Sequence, residues 1–424
     1  MLDLNYILEN KKEVAENAKN RQIKIDLDLI EELAQKRKEL IKEIEETRRR
    51  QNEISDLVVS SDKKDELMAE AKDLKQNIDN QEKELEKIAP ELNLELAKIP
   101  NLTHPDSPVG KTEDDNKILK AEGSKPNFKF KPKDHLELTQ KLDLIDFERG
   151  AKVAGQKFYY LKNEAVQLEF ALINYALGIL LKHGFTPYIT PDLAQDEIIE
   201  GAGFTPRGPE AQIYYIEDSN LGLIATAEIA LAGLHSQEII PEGDLPKKLA
   251  GFSHCFRREA GTYGQASKGL YRVHQFSKVE MFVYSLPEDS DRMLKIILNV
   301  EEKIFKGLGI PYRVMDCCTA ELGGPAYRKF DLEAWFPGEG RFGEITSASN
   351  CTDYQARRLG IKVKRNSPAG GGKTEYLHML NGTAIAISRA LIAILENYQK
   401  EDGSVAIPKI LHKWLSFKEI HPVK

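Results

Sequence analysis

The sequence is sparing with cysteine and tryptophan: 424 residues hold four of the first and two of the second. Cys255, Cys317, Cys318 and Cys351 form no Cys-x-x-Cys pair, and the adjacent 317–318 pair lacks the spacing of a zinc ligand set. These facts exclude a disulfide scaffold or a zinc module and predict four buried thiols in a reduced, cytoplasmic chain. Positive charge is not in excess either. A net charge of -7 argues against a generally basic binder of nucleic acid, while leaving room for a local basic patch. Long hydrophobic runs are missing. The longest, Phe170 to Leu181, falls short of the roughly 20 residues needed to cross a bilayer. Residues 1–10 show no basic stretch followed by an apolar core, so neither a signal peptide nor membrane association is expected. Internal repeats and low-complexity tracts are also lacking.

What is present begins with a heptad seam. Ile30, Leu33, Arg37, Leu40, Ile44, Thr47, Gln51, Ile54 and Val58 follow alternating steps of three and four. Leu67, Ala71, Leu74, Ile78, Gln81, Leu85, Ile88 and Leu92 repeat the pattern, with polar Ser60, Ser61 and Asp62 between the runs. Two helices joined by a short polar turn must lie antiparallel, so an arm of residues 27–98 is predicted. Pro90 is expected to end or kink its second helix. Pro100, Pro105, Pro108 and Gly110 mark a linker. The expected division is an N-terminal domain of residues 1–105, a linker of 106–125 and a second domain of 126–424. The second has an α+β texture with a mainly antiparallel sheet. Strand candidates 157–161, 282–284 and 312–315 are interspersed irregularly with helical stretches 165–181, 291–307 and 383–398.

Chemistry concentrates in Cys255-Phe256-Arg257-Arg258-Glu259-Ala260-Gly261, followed by Thr262-Tyr263-Gly264 and by the run Leu270 to Glu280. An arginine on a strand, a glycine-bearing turn and a return strand carrying Phe276 and an acid could make a compact anion and base site. A plain amphipathic hairpin with a surface salt bridge explains the same residues equally well. His274 could be offered as a general base, but a satisfied, partly buried histidine is the simpler reading. Gly370-Gly371-Gly372-Lys373-Thr374 imitates the end of a phosphate-binding loop. Ser367 stands where that pattern requires glycine, so the match fails.

The hairpin segment resembles the second signature motif of class II aminoacyl-tRNA synthetases, in its seryl form. Phe185 to Pro191, after a long apolar helix, resembles the first motif, and Leu380 to Arg389 the third. Thr226-Ala227-Glu228 matches the serine-binding triplet of that family. Gly343 to Asn350, with Gln355-Ala356-Arg357-Arg358, matches its metal and ATP strand, and the N-terminal hairpin matches its tRNA-binding arm. The resemblance spans essentially the whole chain. It implies activation of L-serine with ATP and Mg2+, followed by transfer to the end of tRNA(Ser), with tRNA(Sec) left open as a second acceptor. It implies a homodimer as well.

The resemblance also assigns residues. Arg257 would grip the α-phosphate and the serine carboxylate, and Arg389 the γ-phosphate. Arg258, Glu259, Val273, Phe276, Glu344, Ile345, Thr346 and Ser347 would line the ATP site, with Phe276 stacking on adenine and Glu259 receiving its amine. Glu344 and Ser347 would hold magnesium, a hard ion suited to oxygen ligands. Thr226, Ala227 and Glu228 would line the ammonium end of serine, while Glu280 and Thr383 contact its hydroxyl. A helix N-terminal cap is the ordinary alternative for Thr383. Arg48, Arg49, Arg50, Lys63, Lys64, Lys72 and Lys75, near the arm tip, would meet RNA. Yet residues 31–99 carry 14 Lys+Arg against 19 Asp+Glu, a net of -5, which is also what a solvated coiled-coil surface shows. Two rival readings keep the fold: a ligase charging a carrier protein, and a non-catalytic binding protein. The long arm disfavours the first, and the retained Arg257, Glu259 and Arg389 disfavour the second.

Overall fold

The computed structural model describes residues 1–58, 63–204, 212–259, 269–366 and 372–423. The polar turn at Ser60 to Asp62, the turn from Ala260 to Gly264, and Gly370 and Gly371 of the glycine loop lie outside the described residues. The chain divides into two compact units, Met1–Pro100 and Asn101–Lys424.

The first unit opens with two short helices, Leu4–Glu9 and Lys11–Asn20. Two long ones follow, α1 (Leu27–Val58) and α2 (Lys64–Lys98). The predicted seam is the buried stripe. Ile30, Leu33, Leu40, Ile44 and Ile54 on α1 and Ile78, Ile88 and Leu92 on α2 are buried, whereas Arg37 points outward. Polar cross-links fix the register. Arg48 pairs with Glu82, Arg50 with Glu70 at 3.0 Å, and Gln81 donates to Glu43 at 2.8 Å. Pro90 does not end α2, which runs on to Lys98. Buried Ile88 and Leu92 hold both sides of the proline against α1. Tertiary burial there outweighs the roughly 3 kcal/mol cost of an interior proline.

The second unit is built on an eight-stranded sheet. Its strands in chain order are β1 (Lys117–Glu122), β2 (Thr186–Ile189), β3 (Lys247–Phe256), β4 (Gln275–Ser285), β5 (Tyr312–Asp316), β6 (Arg328–Phe336), β7 (Arg341–Asn350) and β8 (His378–Ala386). They lie in the order β1-β5-β6-β7-β8-β4-β3-β2, and only the β2–β3 pairing is parallel. The stretch 106–125 is thus more than a linker: β1 within it pairs with β5 and forms one sheet edge. Helices α3 (Glu164–Lys182), α5 (Ser290–Leu308) and α7 (Ile387–Asn397) pack on one side over an apolar core that includes Leu168, Leu172, Ile297, Ile304, Leu391 and Ile394. A second apolar cluster gathers around α4 (Ala227–Gly233) and α6 (Tyr354–Leu359).

Three expectations change. Of 157–161, only Tyr160–Leu161 forms a strand. The stretch read as one helix from Thr383 splits: β8 continues to Ala386 and α7 begins at Ile387. The run Ala384-Ile385-Ala386-Ile387 suits either period, and pairing with β4 and β7 decides it. Thr383 is therefore a strand residue and caps no helix. Finally, α3 as a whole, at 19 residues, is long and apolar enough by length and composition to cross a membrane. Leu168, Leu172, Ala176 and Leu180 on it are buried in the core.

Candidate active site

Strand alternation aims one face of the sheet at a cleft. On β4, Phe276, Lys278 and Glu280 face it, while Val279, Met281 and Val283 enter the core. Two bulges adjust this alternation. In the β6–β7 pair, Leu332 faces Thr346 and Glu333 faces Glu344, so Ile345 is an extra residue. The bulge returns Glu344 and Ser347, three apart, to the same face. Glu280 of β4 faces Thr383 of β8 and Val279 faces Ile385, which makes Ala384 the extra residue there.

The cleft has two lobes that share Arg257, Lys278, Glu344 and Thr383. The first, of about 260 Å3, is lined by Glu259, Tyr271, Arg272, Val273, Phe276, Ile345, Thr346 and Arg389 besides the shared four. The second, of about 400 Å3, gathers Thr226, Glu228, Glu280, Lys329, Ser347 and Asn381 around the same four. Arg257, just past β3, lies at the junction. Its Nε donates to the Ala225 carbonyl at 3.3 Å, and its guanidinium sits 5.2 Å from the Phe276 ring centre.

In the first lobe, Arg389 on α7 donates to the Glu344 carbonyl at 3.0 Å and pairs with its carboxylate at 3.0 Å. The Tyr271 ring lies 4.7 Å beneath Arg389 and 5.3 Å from Arg341. Enclosure works against ionisation of Glu344, but Arg389, Lys329 and Arg257 outweigh it and hold the carboxyl down to about 2. Glu259 has a positive φ of 50°, and its carboxylate pairs with Arg272. Thr346 is buried, and its hydroxyl donates to Glu301 of α5 at 3.2 Å.

In the second lobe, Thr226 caps α4 and accepts from the Glu228 amide at 3.2 Å. Glu228 is buried and accepts from Gln355 at 2.8 Å and Asn381 at 3.0 Å. Burial, then the nearby Glu280 charge, push its carboxyl up to about 7, against the opposing pull of Gln355, Lys278 and Arg257. The Thr383 hydroxyl donates to Glu280 Oε2 at 3.2 Å, and Lys278 Nζ lies 2.5 Å from the same oxygen.

Most residues expected in the site meet there, and two do not. Arg258 is exposed and lines neither lobe, its backbone N–H donating to Gln212 at 2.9 Å. Ala227 is fully buried in the apolar cluster beneath the second lobe. His274 is no free base: Nδ1 is 2.6 Å from the Arg257 carbonyl and the ring stacks on Phe158. All four cysteines are free and buried, as expected. Sequence reasoning missed Lys278, Arg272, Tyr271, Lys329 and Asn381, and gave Gln355 no role. The period-two alternation from Phe276 to Glu280 pointed at Lys278. The others depend on contacts between distant segments. On the arm, Arg48, Arg49, Arg50 and Lys63 are engaged with Glu82, Glu53, Glu70 and Glu66. Lys64, Lys72 and Lys75 have no ion pair within 4.0 Å among the described residues.

An antiparallel sheet carrying an arginine-lined cleft, with a carboxylate and hydroxyl pair beside it, defines a class II synthetase core. Residues 214–398 match the model of the tRNA synthetase class II core domain (G, H, P, S and T), and residues 1–103 match the seryl-tRNA synthetase N-terminal domain. The chain is 55% identical to a serine–tRNA ligase of Dictyoglomus turgidum and 56% identical to that of Dictyoglomus thermophilum, each over all of both chains. The crystal structure of seryl-tRNA synthetase from Pyrococcus horikoshii complexed with ATP superposes with a TM-score of 0.89, at 42% identity and full coverage of both chains. The chain belongs to the seryl-tRNA synthetase family.

Proposed function

We infer that the cleft runs both steps of a serine–tRNA ligase: serine and ATP give seryl-adenylate and pyrophosphate, and a terminal ribose hydroxyl of tRNA(Ser) then takes the seryl group. The observation that carries this reading is Arg257 at the junction of the two lobes. The serine carboxylate and the α-phosphate are both anionic, and attack needs them in line and neutralised. A guanidinium between the lobes can hold one oxygen of each. Phe276 offers adenine a stacking face, and Arg389 and Arg272 line the same lobe for the polyphosphate end. Glu228 receives the serine ammonium, and Glu280 with Thr383 receives its hydroxyl. A methyl side chain would leave that polar pair unsatisfied, the basis for rejecting alanine.

Glu344 and Ser347, placed on one face by the Ile345 bulge, are hard oxygen donors suited to Mg2+. Among the described residues no cluster of three His, Cys, Asp or Glu could hold a metal, so the ion would complete its shell from phosphates and water. When bound it would neutralise phosphate charge. Four free buried thiols fit a reducing compartment, the cytoplasm. The outward faces of α3 and β2, with Phe170 61% and Ile189 84% exposed, fit burial against a twofold mate and not against lipid. The arm is assigned to tRNA(Ser), and tRNA(Sec) is a second acceptor to assay beside it.

The test is exchange of labelled pyrophosphate into ATP with a panel of amino acids, followed by charging of tRNA. Serine should lead the panel by orders of magnitude. Equal exchange with alanine, or exchange without transfer to tRNA, would refute the reading.

A further inference from the structure

Lys278 has no role in the chemistry described so far, yet it is the most enclosed cation in the cleft. The residue is 5% exposed in the middle of β4, between Phe276 and Glu280 on the same face, and it lines both lobes. Long ammonium side chains are almost never enclosed so fully without a partner. Its partner is Glu280, two residues on, with Nζ 2.5 Å from Oε2. That oxygen also receives the Thr383 hydroxyl at 3.2 Å. Glu280 is itself 2% exposed, and further carboxylates, Glu228 and Glu301, lie near enough to feel its charge.

Two consequences follow from this geometry. First, the Lys278 ammonium and the Thr383 hydroxyl both fall on Oε2. The carboxylate is thus turned so that one defined oxygen remains for a ligand. Second, an ionised carboxylate can only accept hydrogen bonds. A ligand hydroxyl satisfies it, and a methyl group leaves a buried charged oxygen unpaired.

We propose that Lys278 is a positioning residue that holds the Glu280 carboxylate in place as a hydrogen-bond acceptor, and that selection of serine over alanine depends on it as much as on Glu280. The inference rests on reading the second lobe as the serine site. Exchange by the unmodified enzyme with serine tests that reading before any variant is made.

The experiment is a double-substitution cycle in the full-length enzyme. Lys278→Met, Glu280→Gln and the combined variant are assayed by pyrophosphate exchange with L-serine and with L-alanine, with thermal melts to establish folding. Lys278→Met should lower kcat/KM for serine on the order of 10²-fold, collapse the serine-over-alanine ratio, and move the ATP KM by no more than about threefold. The combined variant should be no worse than Glu280→Gln alone, because Lys278 acts through Glu280. It also removes both charges together, so it reports even if an unpaired buried carboxylate unfolds Lys278→Met. Lys278→Arg, which keeps the cation, should retain the amino-acid preference. Losses that multiply in the combined variant, or an ATP KM that rises as much as the serine KM, would place Lys278 on the phosphate or substrate carboxylate and overturn the proposal.

Discussion

Arg257 is the residue on which the two lobes depend. On the proposal that it holds both the serine carboxylate and the α-phosphate, removing its guanidinium leaves two anions facing each other without their shared partner. Arg257→Ala should therefore cut serine-dependent pyrophosphate exchange by about 10²–10³-fold, the usual scale for losing one preorganised electrostatic partner. A near-normal rate in a folded variant would mean that the reacting groups lie elsewhere. Glu228 makes a different prediction. Burial, then the nearby Glu280 charge, push its carboxyl up to about 7, into the range where it changes charge near neutral pH. On the proposal that Glu228 receives the serine ammonium, binding requires the ionised form, so the serine KM should fall as pH rises through about 7. Glu228→Gln should raise that KM and flatten its pH dependence. The sign for stability is opposite. The folded state binds the Glu228 proton more tightly than the unfolded chain does. Its contribution therefore favours folding at acid pH and is lost as pH climbs from the ordinary carboxylate range to about 7. Arg257, Glu280 and Thr383 were legible because their segments carry family motifs. Lys278, Gln355 and Asn381 were not. Gln355 and Asn381 acquire meaning only from Glu228 of α4, which the fold brings to them, and Lys278 only from its enclosure beside Glu280 on its own strand.

At the scale of elements, single inserted residues do much of the placing. Glu344 and Ser347 share a face because Ile345 bulges, and Thr383 meets Glu280 beside the bulge at Ala384. Alternation counted along the sequence puts residues three apart on opposite faces, so the Glu344–Ser347 pairing came from the family resemblance and not from strand periodicity. The arm was readable almost residue by residue, since a heptad seam needs no distant partner. Even so, local rules overreached at Pro90, where packing of the flanking turns carries the helix through, and at Thr383, where strand pairing overrides an apparent helix start. The arm residues can be separated by their present partners. Arg48 and Arg50 tie the two helices together, so replacing them perturbs the arm itself. Lys64, Lys72 and Lys75 are the cleaner probes. Changing all three to glutamine should weaken tRNA affinity and flatten its salt dependence, each lost phosphate contact removing up to about 0.9 from the slope. Unchanged charging at every salt concentration would leave the arm a spacer. Excising Ile30 to Ile88, with a short flexible turn joining the ends, should leave pyrophosphate exchange within about threefold and abolish most tRNA charging. A folded deletion variant that lost exchange as well would contradict this division of labour.

At the scale of the whole molecule, the exposed apolar residues on α3 and β2 set the problem. Phe170, Leu181 and Ile189 are 61%, 55% and 84% exposed in the single chain. Fully burying such a side chain is worth roughly 1.5–3 kcal/mol, and a twofold interface counts each residue twice. Phe170→Glu combined with Ile189→Asp would remove four such side chains per dimer, roughly 6–12 kcal/mol, and place charge where they were. Since 1.4 kcal/mol is tenfold, self-association should weaken by at least about 10⁴-fold, and sedimentation at micromolar concentration should show a monomer. A dimer also allows the arm of one subunit to serve the cleft of the other. Two crippled chains test this together: the arm-deleted chain, whose cleft is intact, and Arg257→Ala, whose arm is intact. Each alone should charge tRNA poorly. In the mixed dimer, the intact arm and the intact cleft lie on opposite subunits. Recovered charging after co-expression and purification of the mixed dimer would mean that the arm acts across the interface. A mixed dimer that exchanges pyrophosphate yet fails to charge tRNA would confine each arm to its own cleft.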